Sequence, residues 1–149
     1  MSVRLIDIDT FSDERGSLEF CNEFDMKAIK RFYKVTHADT ETIRAWQVHY
    51  IEHKWFVCTA GSFDFRLVPL SDIDCQVLLD LGFVKQGDSY SIKLTSKDAQ
   101  VVFVPEGFAN GFRALEGNSS LTVYSNLSLE EAKLDNDKAE VGTYLEKWI

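Results

Sequence analysis

The stretch from Arg44 to Val68 reads RAWQVHYIEHKWFVCTAGSFDFRLV and predicts three short β-strands. Thr42 to Tyr50 and Lys54 to Thr59 form the first two, because both are rich in aromatic and β-branched residues. Ala60-Gly61-Ser62 then makes a hairpin turn into the third strand, Phe63 to Val68. Aromatic strands joined by such short connections favour a β fold.

Short strands and turns continue on both sides of this stretch. Turns are predicted at Ser12 to Gly16, Gln86 to Asp88 and Pro105 to Gly107, where Gly, Pro and Asp accumulate. Ser128-Leu-Glu-Glu131 has the spacing of a capping box, so we expect a helix only in the tail. Ala28 to Val35 is compatible with a strand or a helix. The other predicted strands are Val3 to Ile8, Ser17 to Cys21, Gln76 to Leu81, Ser89 to Leu94, Ala99 to Val104, Gly111 to Leu115 and Leu121 to Ser125.

This pattern predicts one all-β domain over residues 1–149, closed by a short C-terminal helix. Periodicity alone does not choose between a barrel and a sandwich. With 45% hydrophobic residues, a chain of this length can bury a stable core without disulfides. We assign six phenylalanines to that core: Phe56, Phe63, Phe65, Phe103, Phe108 and Phe112.

The net charge of −8 restricts the partners of the protein. Non-specific binding to nucleic acid or to an anionic membrane needs a basic surface, so we expect neither partner. No stretch approaches the length of a membrane span, and the N-terminus lacks the apolar region of a signal peptide. Cys21, Cys58 and Cys75 show no metal-binding or pairing pattern, which predicts reduced thiols in the cytoplasm.

Several motifs occur in an order that is typical of one family. They are Phe11-Ser-Asp-Glu-Arg-Gly16, Ile29-Lys-Arg-Phe-Tyr33, Arg44-Ala-Trp-Gln-Val-His49, Cys58-Thr-Ala-Gly-Ser62, Val104-Pro-Glu-Gly-Phe-Ala-Asn-Gly-Phe112 and Val123-Tyr124. Together they resemble the RmlC-like cupins, namely the dTDP-4-dehydrorhamnose 3,5-epimerases and, more closely, the WxcM-like dTDP-sugar 3,4-ketoisomerases. The resemblance implies a double-stranded β-helix (jelly-roll) barrel and a homodimer. It also implies an isomerase of surface polysaccharide biosynthesis that uses no cofactor and acts on a nucleotide-linked 4-keto-6-deoxy sugar.

The sequence departs from this family at positions that matter for chemistry. Gln47 stands where the ketoisomerases have the first of two histidines, and Tyr50 stands where they have a lysine. Asn110 stands where the epimerases have a histidine. These differences keep open a second hypothesis, a cupin that binds a sugar nucleotide without turning it over.

The family reaction needs a base that removes a proton beside a ketone and an acid that returns one. His49 is our candidate base, since imidazole titrates near neutral pH and His49 shares a strand face with Gln47. Tyr124 matches the tyrosine of the epimerase pattern and is our candidate acid. A buried structural histidine and a core tyrosine are the alternatives.

The remaining candidates would bind the substrate. Arg15 and Arg44 are candidate ligands of the diphosphate or sugar, because a guanidinium can hold two phosphate oxygens at once. A local salt bridge with Asp13 or Glu14 is the alternative for Arg15. In a regular strand Arg44 would lie on the face opposite Gln47.

Four further side chains complete the predicted site. Lys54 is a candidate anion contact, and Gln47 and Asn110 are expected to position the sugar. His53, in the turn after the strand, could line the site or orient His49. His37 lies in a polar loop and is expected to be exposed.

Many cupins bind a metal through the positions that read Gln47, His49, His53 and Asn110 in this chain. Two histidines and two amides make a poor ligand set for a transition metal. We therefore predict no metal, and a metal-dependent cupin of another activity is the third hypothesis.

Overall fold

The computed structural model describes residues 1–135, 137–138 and 148. The strands are β1 (Arg4–Asp7), β2 (Asp9–Asp13), β3 (Gly16–Phe20), β4 (Arg31–His37), β5 (Ile43–His49), β6 (Lys54–Ala60), β7 (Ser62–Pro69), β8 (Val84–Gln86), β9 (Ser89–Thr95), β10 (Gln100–Val104), β11 (Phe108–Ala114), β12 (Ser119–Ser125) and β13 (Asp137–Lys138). The α-helices are α1 (Cys75–Asp80) and α2 (Leu129–Asp135), and a 3-10 turn spans Asp72–Asp74.

Two antiparallel sheets and one hairpin organise these strands. The five-stranded sheet has the order β1-β10-β6-β12-β4, and the six-stranded sheet has the order β13-β5-β11-β7-β9-β8. β2 and β3 pair with each other as a separate hairpin. This arrangement confirms the prediction of an all-β jelly-roll with a short C-terminal helix.

The main core lies between the two sheets. Phe56 of the five-stranded sheet packs against Phe65 of the six-stranded sheet, with ring centroids 4.8 Å apart. A second apolar cluster, built on Trp55 and Phe103, covers the outer face of the five-stranded sheet. All six phenylalanines assigned to the core are buried, as predicted. Successive side chains along each strand point to the inner and the outer face of the sheet in turn. This alternation decides which side chains reach the space between the sheets.

The strand predicted at Gln76 to Leu81 is wrong, because this segment forms α1. Its apolar residues do not alternate, and Leu78 alone in the helix is buried. Gln76 donates a hydrogen bond of 2.8 Å to Asp80 one turn later, as helical spacing requires. The Ser71 hydroxyl accepts from the backbone N–H of Ile73 at 3.4 Å and caps the preceding 3-10 turn.

The structure also decides two other predictions about local structure. Ala28 to Val35, left open between helix and strand, contributes to β4, which pairs along its length with β12. The capping box forms as predicted: the Ser128 N–H donates to Glu131 at 3.0 Å, and the Glu131 N–H donates to the Ser128 hydroxyl at 3.2 Å. α2 therefore begins at Leu129. Within the described ranges no helix has the length and apolar content needed to cross a membrane.

Candidate active site

A cavity of about 410 Å³ opens between the sheets, where β5 and β11 face β4 and β6. Five polar residues line it, and so do the apolar residues Val35, Phe56 and Phe112. The polar set is Tyr33, Arg44, Gln47, Lys54 and Asn110. A concave site with an apolar wall and a few convergent polar groups is the usual form of a small-molecule pocket. We call this cavity the barrel pocket.

A β-bulge in β5 turns Arg44 toward the barrel pocket. Asn110 pairs with Gln47 and Phe112 pairs with Arg44, so two steps along β11 match three steps along β5. The extra residue of β5 shifts the alternation by one and puts Arg44 on the same face as Gln47. The expectation that Arg44 faces away from Gln47 is therefore wrong. Gly111 lies at the bulge, where a Cβ atom would come within 2.8 Å of Ala45 Cβ.

Gln47 and Asn110 meet at the barrel pocket from neighbouring strands. β11 begins at Phe108, earlier than the predicted Gly111, so Asn110 lies in a strand rather than in a turn. The Asn110 side-chain amide donates to the main-chain oxygen of Gln47 at 3.4 Å. This bond leaves the Asn110 carbonyl and the Gln47 side chain available to a ligand.

His49 is on the same strand as Gln47 but does not line the barrel pocket. Its Nδ1 atom lies 3.2 Å from Glu52 Oε1 and 3.8 Å from Asp135 Oδ2. Both ring nitrogens are closed off from solvent and make no hydrogen bond with the described residues. Burial, aided by the positive charge of Lys54, lowers the pKa of His49 to about 3. The imidazole is therefore neutral at physiological pH.

Glu52 joins His49 to a buried network of charges. Its Oε2 atom accepts from Arg31 Nη2 at 2.9 Å and also accepts a short hydrogen bond from the Ser125 hydroxyl. Its Oε1 atom lies 3.8 Å from Lys54 Nζ. Glu52 is 2% exposed, so this carboxylate is balanced by cations rather than by water.

Asp135, the last residue of α2, closes the same network. Its carboxylate accepts from the backbone N–H groups of Tyr50, Ile51 and Glu52, at 3.0, 3.1 and 2.6 Å. Three such donors hold the turn after β5 in one conformation. Glu52 and Asp135 were not predicted from the sequence, because they are far apart in the chain and carry no local signal of their partnership.

His49, Glu52 and Asp135 place one potential ligand atom each within 4.8 Å of the others. The Asp135 oxygens and Glu52 Oε2 already accept hydrogen bonds, and the cations Arg31 and Lys54 contact Glu52. A divalent ion would add charge to a cluster that is already balanced, so this donor set does not fit a metal. The cupin metal positions are not assembled either, because His53 instead contacts Glu106.

Tyr33 is the tyrosine of the barrel pocket, and no role was predicted for it from the sequence. It lies on the inner face of β4, with Lys54 Nζ 5.7 Å from its ring centroid. Arg31 lies 5.2 Å from the same centroid. Lys54, a predicted site residue, is buried and lines the pocket.

Tyr124 and His49 do not share a pocket. Tyr124 lies on the outer face of the five-stranded sheet, in the cluster of Trp55 and Phe103. Its ring packs edge-on against Phe24, with centroids 5.5 Å apart. Tyr124, the candidate acid, therefore lies outside the barrel pocket, because alternation along β12 turns it away from the interior.

Two further predicted ligands lie outside the barrel pocket. Arg15 sits in the turn of the β2–β3 hairpin, where its side chain is 81% exposed and pairs with Asp13 at 2.6 Å. The local salt bridge weighed for Arg15 is thus the one observed. His53 contacts Glu106, and its ring meets the edge of Phe103 at 5.7 Å.

His37 was expected to be exposed, and that expectation is wrong. It is 3% exposed at the end of β4, and its Nε2 atom accepts a hydrogen bond of 3.0 Å from Arg44 Nε. The structure therefore connects a histidine from the first part of the barrel to a cation of the pocket.

Comparison with known proteins places this architecture in a family. A family model described as "FdtA: WxcM-like, C-terminal" matches residues 1–146. No curated protein matches the sequence. Among solved structures, the sugar 3,4-ketoisomerase QdtA from Thermoanaerobacterium thermosaccharolyticum, in complex with TDP, is 18% identical with a TM-score of 0.69. That match covers 98% of this chain and 94% of QdtA.

Two other solved structures show the same fold. The TDP-quinovose 3,4-ketoisomerase WlaRB from Campylobacter jejuni is 16% identical, covers 92% of each chain and has a TM-score of 0.66. A variant of ChmJ, a 3'-monoepimerase from Streptomyces bikiniensis, was solved in complex with dTDP. It is 14% identical, covers 99% of this chain and 73% of ChmJ, and has a TM-score of 0.74. At these identities the similarity concerns the fold.

Proposed function

Because this chain belongs to the WxcM-like, C-terminal (FdtA) family, we propose that it is an isomerase of a nucleotide-linked keto sugar. The substrate class we propose is a dTDP-linked 4-keto-6-deoxyhexose, and the reaction is an epimerisation or a migration of the ketone. The supporting observation is the barrel pocket, where two cations, two amides and a phenol converge on a partly apolar cavity. Its volume of about 410 Å³ is in the range of small-molecule sites.

The cations suit the charged part of such a substrate. Arg44 would hold the diphosphate, since it lines the pocket and a guanidinium can bind two phosphate oxygens at once. Gln47 and Asn110 offer amide donors and acceptors for sugar hydroxyls. The amides of Gln47 and Asn110, which stand where related proteins carry histidine, would therefore bind the sugar.

The reaction begins when a base removes the proton on the carbon beside the ketone, and the electron pair moves to the carbonyl oxygen. Lys54 is the buried ammonium group that would stabilise the resulting enolate oxygen. A proton returned to the opposite face of the same carbon inverts it. A proton returned to the former carbonyl carbon, with a hydroxyl proton moving between the two oxygens, relocates the ketone.

We assign the acid to Tyr33 and keep His49 as the candidate base; because its ring nitrogens are buried outside the barrel pocket, His49 Nε2 must become accessible to the substrate for this role. His49 is neutral, which is the form that accepts a proton, and Glu52 lies against its Nδ1 atom. A carboxylate at that distance favours the tautomer with the proton on Nδ1, leaving Nε2 as the basic atom. Tyr33 takes the role first given to Tyr124, because Tyr33 lines the pocket and Tyr124 does not.

A non-catalytic binding protein is the second candidate function, and the burial of His49 favours it. An imidazole whose pKa is about 3, and whose nitrogens are closed off from solvent, is a weak base. In this case the barrel pocket would bind the sugar nucleotide and leave it unchanged.

One incubation separates these functions. The protein is mixed with dTDP-4-keto-6-deoxyglucose, and the sugar is followed by proton NMR while binding is measured by calorimetry. A rearranged sugar supports the isomerase. Binding without rearrangement supports the second candidate. If the sugar neither binds nor rearranges, both functions are excluded for this ligand.

We further propose that the protein works as a cytoplasmic homodimer in surface polysaccharide assembly. Phe11 and Leu18 face each other across the β2–β3 hairpin and are 55% and 60% exposed, which supports a surface covered by a second copy. The three free cysteines support a reducing compartment. Light scattering coupled to gel filtration tests the dimer, and a monomer at micromolar concentration would contradict it.

A further inference from the structure

Arg44 differs from three other arginines in the partner that holds it. Arg15, Arg31 and Arg66 each pair with a carboxylate, on Asp13, Glu52 and Asp64. Arg44 forms no ion pair within the described part of the chain, and the one hydrogen bond seen there runs from its Nε atom to His37 Nε2 at 3.0 Å. The guanidinium of Arg44 is thus oriented by a side chain that does not carry a full negative charge.

His37 is fixed and neutral. Its ring lies 5.5 Å from the ring of Phe63 and 5.5 Å from that of Phe112, so it has little freedom to turn. Burial, and after it the positive charge of Arg44, lowers the pKa of His37 below its ordinary value. To accept from Arg44 at Nε2, the neutral ring must carry its proton on Nδ1.

The proton on Nδ1 of His37 lowers the stability of the fold. Nδ1 of His37 is buried and has no partner among the described residues. An unsatisfied buried donor is normally selected against, so its presence calls for an explanation. A role in holding Arg44 provides one.

The loop between the two residues is also constrained. Asp39 accepts from the backbone N–H groups of Glu41 and Thr42, at 3.0 and 2.9 Å, and from the Thr42 hydroxyl at 2.9 Å. This loop joins the end of β4 to the start of β5. His37 and Arg44 are therefore held at a fixed separation by backbone structure as well as by their own hydrogen bond.

We propose that His37 is a positioning residue that orients Arg44 as a neutral acceptor, so that Arg44 presents an uncompensated positive charge to the diphosphate of the substrate. The inference rests on the proposed function, because the anion is the diphosphate of the nucleotide sugar. A carboxylate in place of His37 would orient the guanidinium equally well but would cancel its charge. The neutral imidazole supplies the geometry alone.

Three substitutions separate geometry from charge. His37→Leu removes the acceptor, His37→Gln keeps a neutral acceptor near the place of Nε2, and His37→Glu keeps an acceptor but adds a negative charge. Binding of dTDP is measured by calorimetry at several salt concentrations, and circular dichroism confirms that each variant is folded. We expect dTDP affinity to fall about tenfold in His37→Leu and to stay within about threefold of the wild type in His37→Gln. His37→Glu should bind about tenfold more weakly than His37→Gln and depend less on salt.

A double-mutant cycle shows whether His37 acts through Arg44. In the Arg44→Ala background, His37→Leu should cause no further loss of dTDP affinity. Equal binding by His37→Gln and His37→Glu, or an undiminished effect of His37→Leu without Arg44, would overturn the inference while leaving the proposed function in place. A wild-type chain that binds no dTDP would overturn both.

Discussion

The Nδ1 atom of His49 lies 3.2 Å from Oε1 of Glu52, with both side chains almost completely buried. If Glu52 sets the tautomer of the base, Glu52→Gln should lower kcat of the proposed isomerisation about tenfold or more and change KM little, because Glu52 does not line the pocket. Steady-state kinetics with a nucleotide-linked keto sugar measures this.

Glu52→Gln also removes the partner of Arg31, so the variant needs a stability control. Thermal melting shows whether it stays folded at the assay temperature. Glu106→Gln, which removes the carboxylate beside His53, serves as the matched change and should leave kcat close to the wild-type value. A folded Glu52→Gln protein with wild-type kcat would refute the role of Glu52.

The buried neutral His49 predicts a specific acid sensitivity. Its pKa in the folded protein is about 3, below the ordinary value of 6.5, so the unfolded chain binds the extra proton between these values. Stability should therefore be unaffected by this group above pH 6.5 and should fall as the pH drops toward 3, by at most about 1.4 kcal/mol per pH unit.

Urea unfolding at a series of pH values, compared with His49→Gln, isolates this contribution. The exposed carboxylate of Glu131, whose pKa is lowered to about 2 by hydrogen bonds from Ser128 and Lys30, also loses stabilisation in acid. That contribution is common to both proteins and cancels in the comparison. Parallel pH profiles for the two proteins would show that His49 titrates normally.

The two tyrosines provide a paired test of which face is functional. Tyr33→Phe should lower the rate of isomerisation about a hundredfold if its phenol is the acid, in the range typical of general acid catalysis. Tyr124→Phe should leave the rate within about twofold, since its ring packs on Phe24 outside the barrel pocket. A larger loss in Tyr124→Phe than in Tyr33→Phe would reverse the assignment.

The two arginines predicted as ligands should differ in their effect on dTDP binding. Arg44→Ala should weaken dTDP binding by about tenfold or more, because Arg44 lines the pocket without a carboxylate partner among the described residues. Arg15→Ala should bind dTDP like the wild type, since Arg15 is paired with Asp13 and exposed. Calorimetry on both variants checks this. Similar losses in both would place Arg15 at the site.

The strand from Ile43 to His49 could be predicted because its signal is local: it contains aromatic and β-branched residues, and a turn at Ile51 to His53 follows it. The bulge within it could not be predicted, since it exists only in the pairing with β11. That single extra residue decides whether Arg44 faces the pocket. Gln47 and His49 lie on the other side of the bulge from Arg44, and of these two only Gln47 lines the barrel pocket.

Contacts between residues far apart in the chain are the second reason why part of the site could not be predicted from the sequence. Alternation shows that Tyr33 and Phe32 point to opposite faces, but it does not say which face is interior. Pairing of β4 with β12 and packing on the core are needed to turn Tyr33 inward. Asp135 meets the turn after β5 across more than eighty residues of chain, so no local pattern could connect the two.

The central claim, that the barrel pocket moves a proton beside a ketone, is tested most directly by hydrogen–deuterium exchange. The protein is incubated in D2O with dTDP-4-keto-6-deoxyglucose, and deuterium at the carbons next to the ketone is measured by NMR and mass spectrometry. We predict incorporation that exceeds the protein-free rate, falls sharply in Tyr33→Phe and His49→Gln, and persists in Tyr124→Phe. Tight binding of the sugar nucleotide with deuterium incorporation no faster than in buffer would contradict the claim and leave a binding protein.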